Sequence, residues 1–296
     1  SMEFVLMEVR SFRIILTSNI LIYYFFCPAK ASDNLDLLHE LDRTARSIRL
    51  NQPFFIQARY TNETSDTNSN ESTFVDACWS SKFHNVISQA LTNPDKFDVD
   101  RLKYAISAPN FVNYLTRHDN ERLMFLLNQF GQVSCEETFQ RARLGAIVLM
   151  TSVSIPLIWQ GDEFGEARQL GPKNPHQKQF PMQWSLIENK PNRDLFEIFQ
   201  RLIQLRLLKL NFDKTKQANF IYQNYDHRLL AYTRLNNEIL VITHFTNELR
   251  MNYEIGNIPF NGHWIDWLTN ESYTVENNRL QIDLKPFDGK VLIRQD

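Results

Sequence analysis

Residues 155–166 read Ile155-Pro156-Leu157-Ile158-Trp159-Gln160-Gly161-Asp162-Glu163-Phe164-Gly165-Glu166. A short apolar run that breaks into glycine and carboxylates is what a buried parallel strand looks like where it opens into a functional loop. A second run of the same build lies upstream: Phe111-Val112-Asn113-Tyr114-Leu115, opening into Thr116-Arg117-His118-Asp119-Asn120. Between the two, Glu136 to Met150 reads as a helix. Its apolar residues Phe139, Ala142, Ala146 and Leu149 recur at three- and four-residue steps. Strand, helix, strand is the order of a parallel βα unit.

The same order extends outward. Asp33 to Arg49 carries Leu35, Leu38, Leu41, Ala45 and Ile48 at helical spacing, and Phe54-Phe55-Ile56 follows as a short strand. A polar loop from Tyr60 to Thr73 leads to helices over Lys82–Leu91 and Val99–Ala105, and Asp194–Leu210 is the last helix. After Phe212 the period changes. Phe220–Tyr225, Leu229–Leu235, Ile239–Phe245, Met251–Ile255, His263–Leu268, Tyr273–Val275, Leu280–Leu284 and Lys290–Ile293 are short runs separated by polar turns, as in an antiparallel sandwich. The expected domains are therefore 1–212, built of βα units, and 213–296, a β-sandwich.

At the other end, Arg10 and Arg13 precede an apolar run from Ile14 to Cys27, and Ala29-Lys30-Ala31 follows. A buried barrel strand is the preferred reading, with a cytoplasmic location. If residues 10–31 are instead a secretory leader, the protein is secreted, and the Asn-x-Ser/Thr triplets at Asn62, Asn70 and Asn270 become relevant.

Composition narrows the function. A net charge of -2 leaves no basic excess for a nucleic acid. Eight glycines and no Gly-x-Gly-x-x-Gly or P-loop motif speak against a nucleotide-binding loop, and no cofactor is expected. Cys27, Cys78 and Cys135 have neither metal-ligand nor disulfide-framework spacing. Aromatic residues are abundant, with 22 Phe, 10 Tyr and 5 Trp; most pack in cores, but Trp79 and Trp159 are candidates for stacking on a sugar ring.

The two strand-end segments, in order and at this spacing, resemble barrel strands seven and eight of the amylase family (glycoside hydrolase family 13), in particular its branching-enzyme-like members. Trp184-Ser185-Leu186, the helix over Asn192–Leu207 and the β-rich C-terminus fit the same pattern. The resemblance covers residues 111–296 closely and 33–110 more loosely. It implies an incomplete (β/α)8 TIM-like barrel, about strands four to eight, followed by a small antiparallel β-sandwich. It also implies that Asp119 grips sugar hydroxyls at the cleavage subsite and that His118 touches the same ligand.

Departures from the family pattern carry equal weight. Retaining hydrolysis needs a nucleophilic carboxylate and a second carboxyl as acid/base, roughly 5 Å apart. The strand-four match, Ser11-Phe12-Arg13-Ile14-Ile15-Leu16, keeps Arg13 as a substrate contact but puts Ile15 at the nucleophile. The strand-five match, Phe55-Ile56-Gln57-Ala58, puts Ala58 at the acid/base. Neither side chain can attack carbon or carry a proton. Of the catalytic trio only Asp119 remains. In the family, the segment holding Glu163 and Glu166 shapes a loop, and Glu63 and Glu71 read as solvated. The resemblance further implies that barrel strands one to three are missing, and with them the calcium ligands, so no metal is expected. An open barrel edge calls for a protein partner, a second copy or a repacked N-terminal run. The reading is an α-glucan-, maltooligosaccharide- or partner-binding module that lacks glycosidase activity alone. The alternative is an α-1,4-glucan hydrolase or transglycosidase, of the retaining type, completed by a companion chain.

Overall fold

A computed structural model describes residues 7–9, 12–16, 21–27, 43–44, 47, 55–60, 77–117, 120–130, 134–169, 181–210 and 217–295. The chain forms two compact units, residues 1–80 with 110–112, and residues 81–109 with 113–296.

In the first unit the sheet order is β1 (Met7–Val9), β2 (Phe12–Leu16), β3 (Leu21–Cys27), β4 (Phe55–Tyr60), β5 (Ala77–Trp79) and the opening residues of β6 (Phe111–Tyr114). The apolar run Ile14–Cys27, expected as one strand, is two. β2 ends at Leu16 and β3 begins at Leu21, on either side of the polar Thr17-Ser18-Asn19, and the two pair antiparallel with Ile15 opposite Ile22. β1 is antiparallel to β2 as well. Parallel pairing starts only with β3 against β4, and continues through β5 and β6. Ile15 thus lies on an antiparallel strand, one strand removed from the strand that carries Ala58. Of the helix expected over Asp33–Arg49, residues 43, 44 and 47 are described, and they are helical.

The second unit contains α1 (Ser81–Thr92), α2 (Val99–Ser107), the end of β6, α3 (Leu123–Phe130), α4 (Cys135–Thr151), β7 (Ile155–Leu157) and α5 (Lys190–Leu208). Asp98 accepts from the amides of Asp100 and Arg101 to start α2, and the Ser134 hydroxyl accepts from Glu137 to start α4. Strands β8 (Asn219–Asn224), β9 (Leu229–Arg234), β10 (Ile239–His244), β11 (Arg250–Ile255), β12 (Gly262–Asp266), β13 (Ser272–Val275), β14 (Leu280–Leu284) and β15 (Gly289–Arg294) follow. They form a six-stranded sheet, β13-β12-β15-β10-β9-β8, and a two-stranded sheet, β11-β14.

The six-stranded sheet is buried on both faces at its centre, which is why β9 and β10 read as unbroken apolar runs instead of alternating ones. Leu230, Tyr232, Ile239, Val241 and Val291 share a core with α1, α2, α4 and α5. Their neighbours Leu229, Ala231, Leu240, Ile242 and Leu292 share a second core with Trp264, Ile255, Ile282 and Leu284. The period of two assigns each residue to one core or the other.

Charge closes the seam between helices and sheet. The last carbonyls of α4 have no partner within the helix. Arg206 of α5 donates to the carbonyls of Ser152 at 2.6 Å and Ser154 at 2.5 Å, and more loosely to those of Met150 and Val153. Arg234 of β9 donates to the carbonyl of Thr151. Burial pulls both guanidinium groups down to about 10, with Arg234 adding to the effect on Arg206, so both stay charged at neutral pH. Two cations at a helix C-terminus also sit at the negative end of its dipole.

Candidate functional site

In the second unit, the ends of β6 and β7 open into two turns that are tied together. On the β6 side, the Thr116 hydroxyl is fully buried and accepts from the amide of Leu123 at 3.1 Å, which sets the start of α3. Arg117 and Asn120 hold one another: Asn120 N donates to the Arg117 carbonyl at 3.0 Å, and Arg117 Nε donates to Asn120 Oδ1 at 2.8 Å. On the β7 side, Gly161 and Gly165 adopt left-handed φ values of +96° and +74° at either end of a 3-10 turn over Asp162–Phe164. Gly161 has a second requirement. A Cβ there would stand 2.5 Å from Met182 Cε and 2.8 Å from Arg122 Nη1, so bare backbone is what lets these groups approach.

Arg122 joins the two turns. It is almost fully buried, and its Nη1 donates to the Gln160 carbonyl at 2.7 Å. Asp162 is buried beside it, and burial raises its carboxyl to about 7. The Thr116 hydroxyl and the Arg122 guanidinium pull the other way, while Glu163 reinforces the rise. Among the described residues, neither Asp162 Oδ2 nor Arg122 Nε has a hydrogen-bond partner. A buried carboxyl left partly unsatisfied prefers its neutral form.

The other two carboxylates of the turn are already engaged. Glu163 Oε2 accepts from the Gly161 amide at 2.7 Å. Glu166 is completely buried and takes a bidentate pair from Arg168, at 3.0 and 2.7 Å, together with the Gln183 amide at 3.2 Å. Burial alone would raise its carboxyl, but the Arg168 and Gln183 hydrogen bonds outweigh it and hold Glu166 below the usual carboxylate range.

Behind β6, the His84 ring stacks on Tyr114 with centroids 5.2 Å apart, and its Nδ1 meets the Leu115 carbonyl at 2.8 Å. A carbonyl can only accept, so Nδ1 carries the hydrogen. Burial, offset in part by that bond and aided by Arg117, keeps the imidazole below its ordinary value and therefore neutral at pH 7. Among the described residues, no group of three His, Cys, Asp or Glu side chains is placed to hold a metal ion.

No family model matches the sequence. Individual proteins do. Neopullulanase 2 of Thermoactinomyces vulgaris is 30% identical over 196 residues, which is 63% of this chain and 30% of that protein. The maltogenic alpha-amylase of Bacillus acidopullulyticus is 25% identical over 186 residues, 61% of this chain and 28% of that one. The chain is similar in sequence to these amylases. It spans less than a third of the length of either protein. In fold it is similar to AmyP, whose crystal structure is a complex with maltose, with a TM-score of 0.69 at 14% identity, covering 88% of this chain and 61% of that one. The likeness fits part of an amylase barrel together with its β-domain.

The site residues expected from the sequence fall out unevenly. His118 and Asp119 lie outside the described residues, although the groups on either side of them, Arg117 and Asn120, are pinned to each other. For Arg13, Ile15 and Ala58 only the backbone is described, in β2 and β4. Trp79, at the end of β5, is 9% exposed. Trp159 is half-buried just past β7, and its carbonyl accepts from the Asp162 amide. Sequence reasoning did not single out Arg122 or Arg168, and it quoted Trp184 only as part of the family pattern.

Proposed function

We propose that this amylase relative binds an α-glucan or maltooligosaccharide at the turns after β6 and β7, through Asp119 and His118, and has no glycosidase activity by itself. What supports the reading is how the described carboxylates around these turns are used. Glu166 is neutralised by Arg168, Glu163 caps a backbone amide, and Asp162 is buried with its proton held to about 7. Asp162 and Glu166 are both buried, whereas retaining chemistry needs an accessible nucleophilic carboxylate. Ile15 and Ala58 supply neither group. A constellation that keeps its ligand-holding parts but lacks reactive ones binds and does not cut. AmyP is known as a maltose complex, and the same sugar class is the first ligand to try here. A protein companion over the barrel edge, residues 213–296 acting as a C-terminal β-domain, and a branching-enzyme-like ancestry belong to the same reading.

The test uses the pure chain with maltooligosaccharides, following reducing ends and binding heat in the same sample. The expected outcome is heat without turnover, and a loss of about tenfold in affinity or more in Asp119→Ala, as for one charged hydrogen bond removed. Turnover that Asp119→Ala abolishes would sink the non-catalytic reading and favour a hydrolase or transglycosidase.

A further inference from the structure

We propose that Trp184 is a second glucan contact, a platform on which one hexopyranose ring stacks, beside the turn that follows β7. The proposal rests on the glucan-binding reading above and adds to it a site and a residue.

Trp184 is 61% exposed, an unusual setting for the largest apolar side chain. It does not dangle. Phe164, fully buried, lies beneath it with ring centroids 5.2 Å apart and planes inclined by 40°. The Asn192 amide holds the Phe164 carbonyl at 2.7 Å and fixes that pedestal. The residues leading to Trp184 are tied at three successive positions. Arg168 donates to the Pro181 carbonyl at 2.7 Å, Arg122 Nη2 approaches Met182 Sδ at 3.9 Å, and the Gln183 amide donates to Glu166 at 3.2 Å. Met182 touches Gly161, so the segment is seated directly against the turn after β7.

A rigid indole held open to water has already lost the freedom that stacking on a ligand would cost it. Its surroundings fit a sugar better than a protein. Gln160, Gln183 and Ser185 are exposed and offer amide and hydroxyl groups that both donate and accept. A pyranose presents C–H groups on its faces and hydroxyls on its rim, so an apolar plate with neutral polar neighbours is its complement. A protein interface of useful affinity would need a far wider apolar centre than one ring.

The experiment titrates the full chain with maltoheptaose by calorimetry, in wild type, Trp184→Ala, Trp184→Phe and Asp119→Ala. Trp184→Ala should lower affinity about tenfold, a loss in the range of one aromatic stacking contact, while Trp184→Phe stays within about threefold. Wild-type affinity in Trp184→Ala, with Asp119→Ala impaired, would overturn the platform and leave the glucan-binding reading standing. Absence of heat in wild type would overturn both. Oxidation of the wild-type indole by N-bromosuccinimide, mapped by mass spectrometry, needs no variant to fold. Protection of Trp184 by maltoheptaose supports the platform, and unchanged oxidation under saturating sugar refutes it.

Discussion

The centre of the six-stranded sheet and the paired turns after β6 and β7 are both buried, and they are built on opposite principles. In the sheet, β9, β10 and β15 pair residue by residue, and their side chains divide between two apolar cores. In the turns, Thr116, Arg122, Asp162 and Glu166 are buried polar groups, two of which keep an unpartnered atom among the described residues. The first arrangement is made for stability, because burial of apolar area is favourable without demanding exact partners. The second holds a shape, and a partly satisfied polar network costs stability to do so.

Four measurements separate these roles. Arg206→Met should destabilise most, by about 3–5 kcal/mol in denaturant unfolding, because four carbonyls around the end of α4 lose a half-buried charged donor. Leu240→Ala, which empties part of the second core, should cost about 3 kcal/mol, equally at every pH. If either change proves harmless, the division between sheet and turns fails.

Asp162→Asn should behave in the opposite way. The carboxyl is raised from 3.8 to about 7 in the fold, so the folded state holds the proton more tightly than the unfolded state does. Its contribution is fully present below about pH 4 and is lost as the pH rises through about 7. Wild type and Asp162→Asn should therefore match in melting temperature at pH 4, and the variant should gain on wild type up to neutrality, by up to about 4 kcal/mol for a rise of this size. A constant difference across that window would show that Asp162 titrates normally. Smallest of all, Trp184→Ala should change stability by no more than about 0.5 kcal/mol, as for an exposed side chain.

The same contrast explains what could be read from sequence. All eight C-terminal strand runs correspond to β8–β15, because short apolar runs there are punctuated by asparagines, and Asn236, Asn237, Asn277 and Asn278 supply positive φ where turns demand it. The helix α4 announced itself by period, and α1, α2 and α5 were also expected near where they lie. α3 escaped notice: its start, Leu123-Met124-Phe125-Leu126-Leu127, is apolar without alternation, and its cap comes from Thr116, seven residues back. β1 and β5, at three residues each, are too short to carry a period. The turns were legible as a place and not as a network. Asp162 and Arg122 are forty residues apart, and their effect on one another is a matter of burial, which no local pattern encodes. The exposure of the Trp184 indole was similarly hidden, since a tryptophan after Pro181-Met182-Gln183 looks no different from one inside a core.

The arginine clasp at the end of α4 gives the molecule an unexpected tolerance. Composition switches from helix to strand near residue 212, yet Arg234 beyond that switch binds Thr151 before it, and Leu230, Tyr232 and Val241 are interleaved with α4 and α5. A protease that severed the backbone between α5 and β8 would break one covalent bond and none of these. The nicked pieces should migrate together on a sizing column and part only in denaturant.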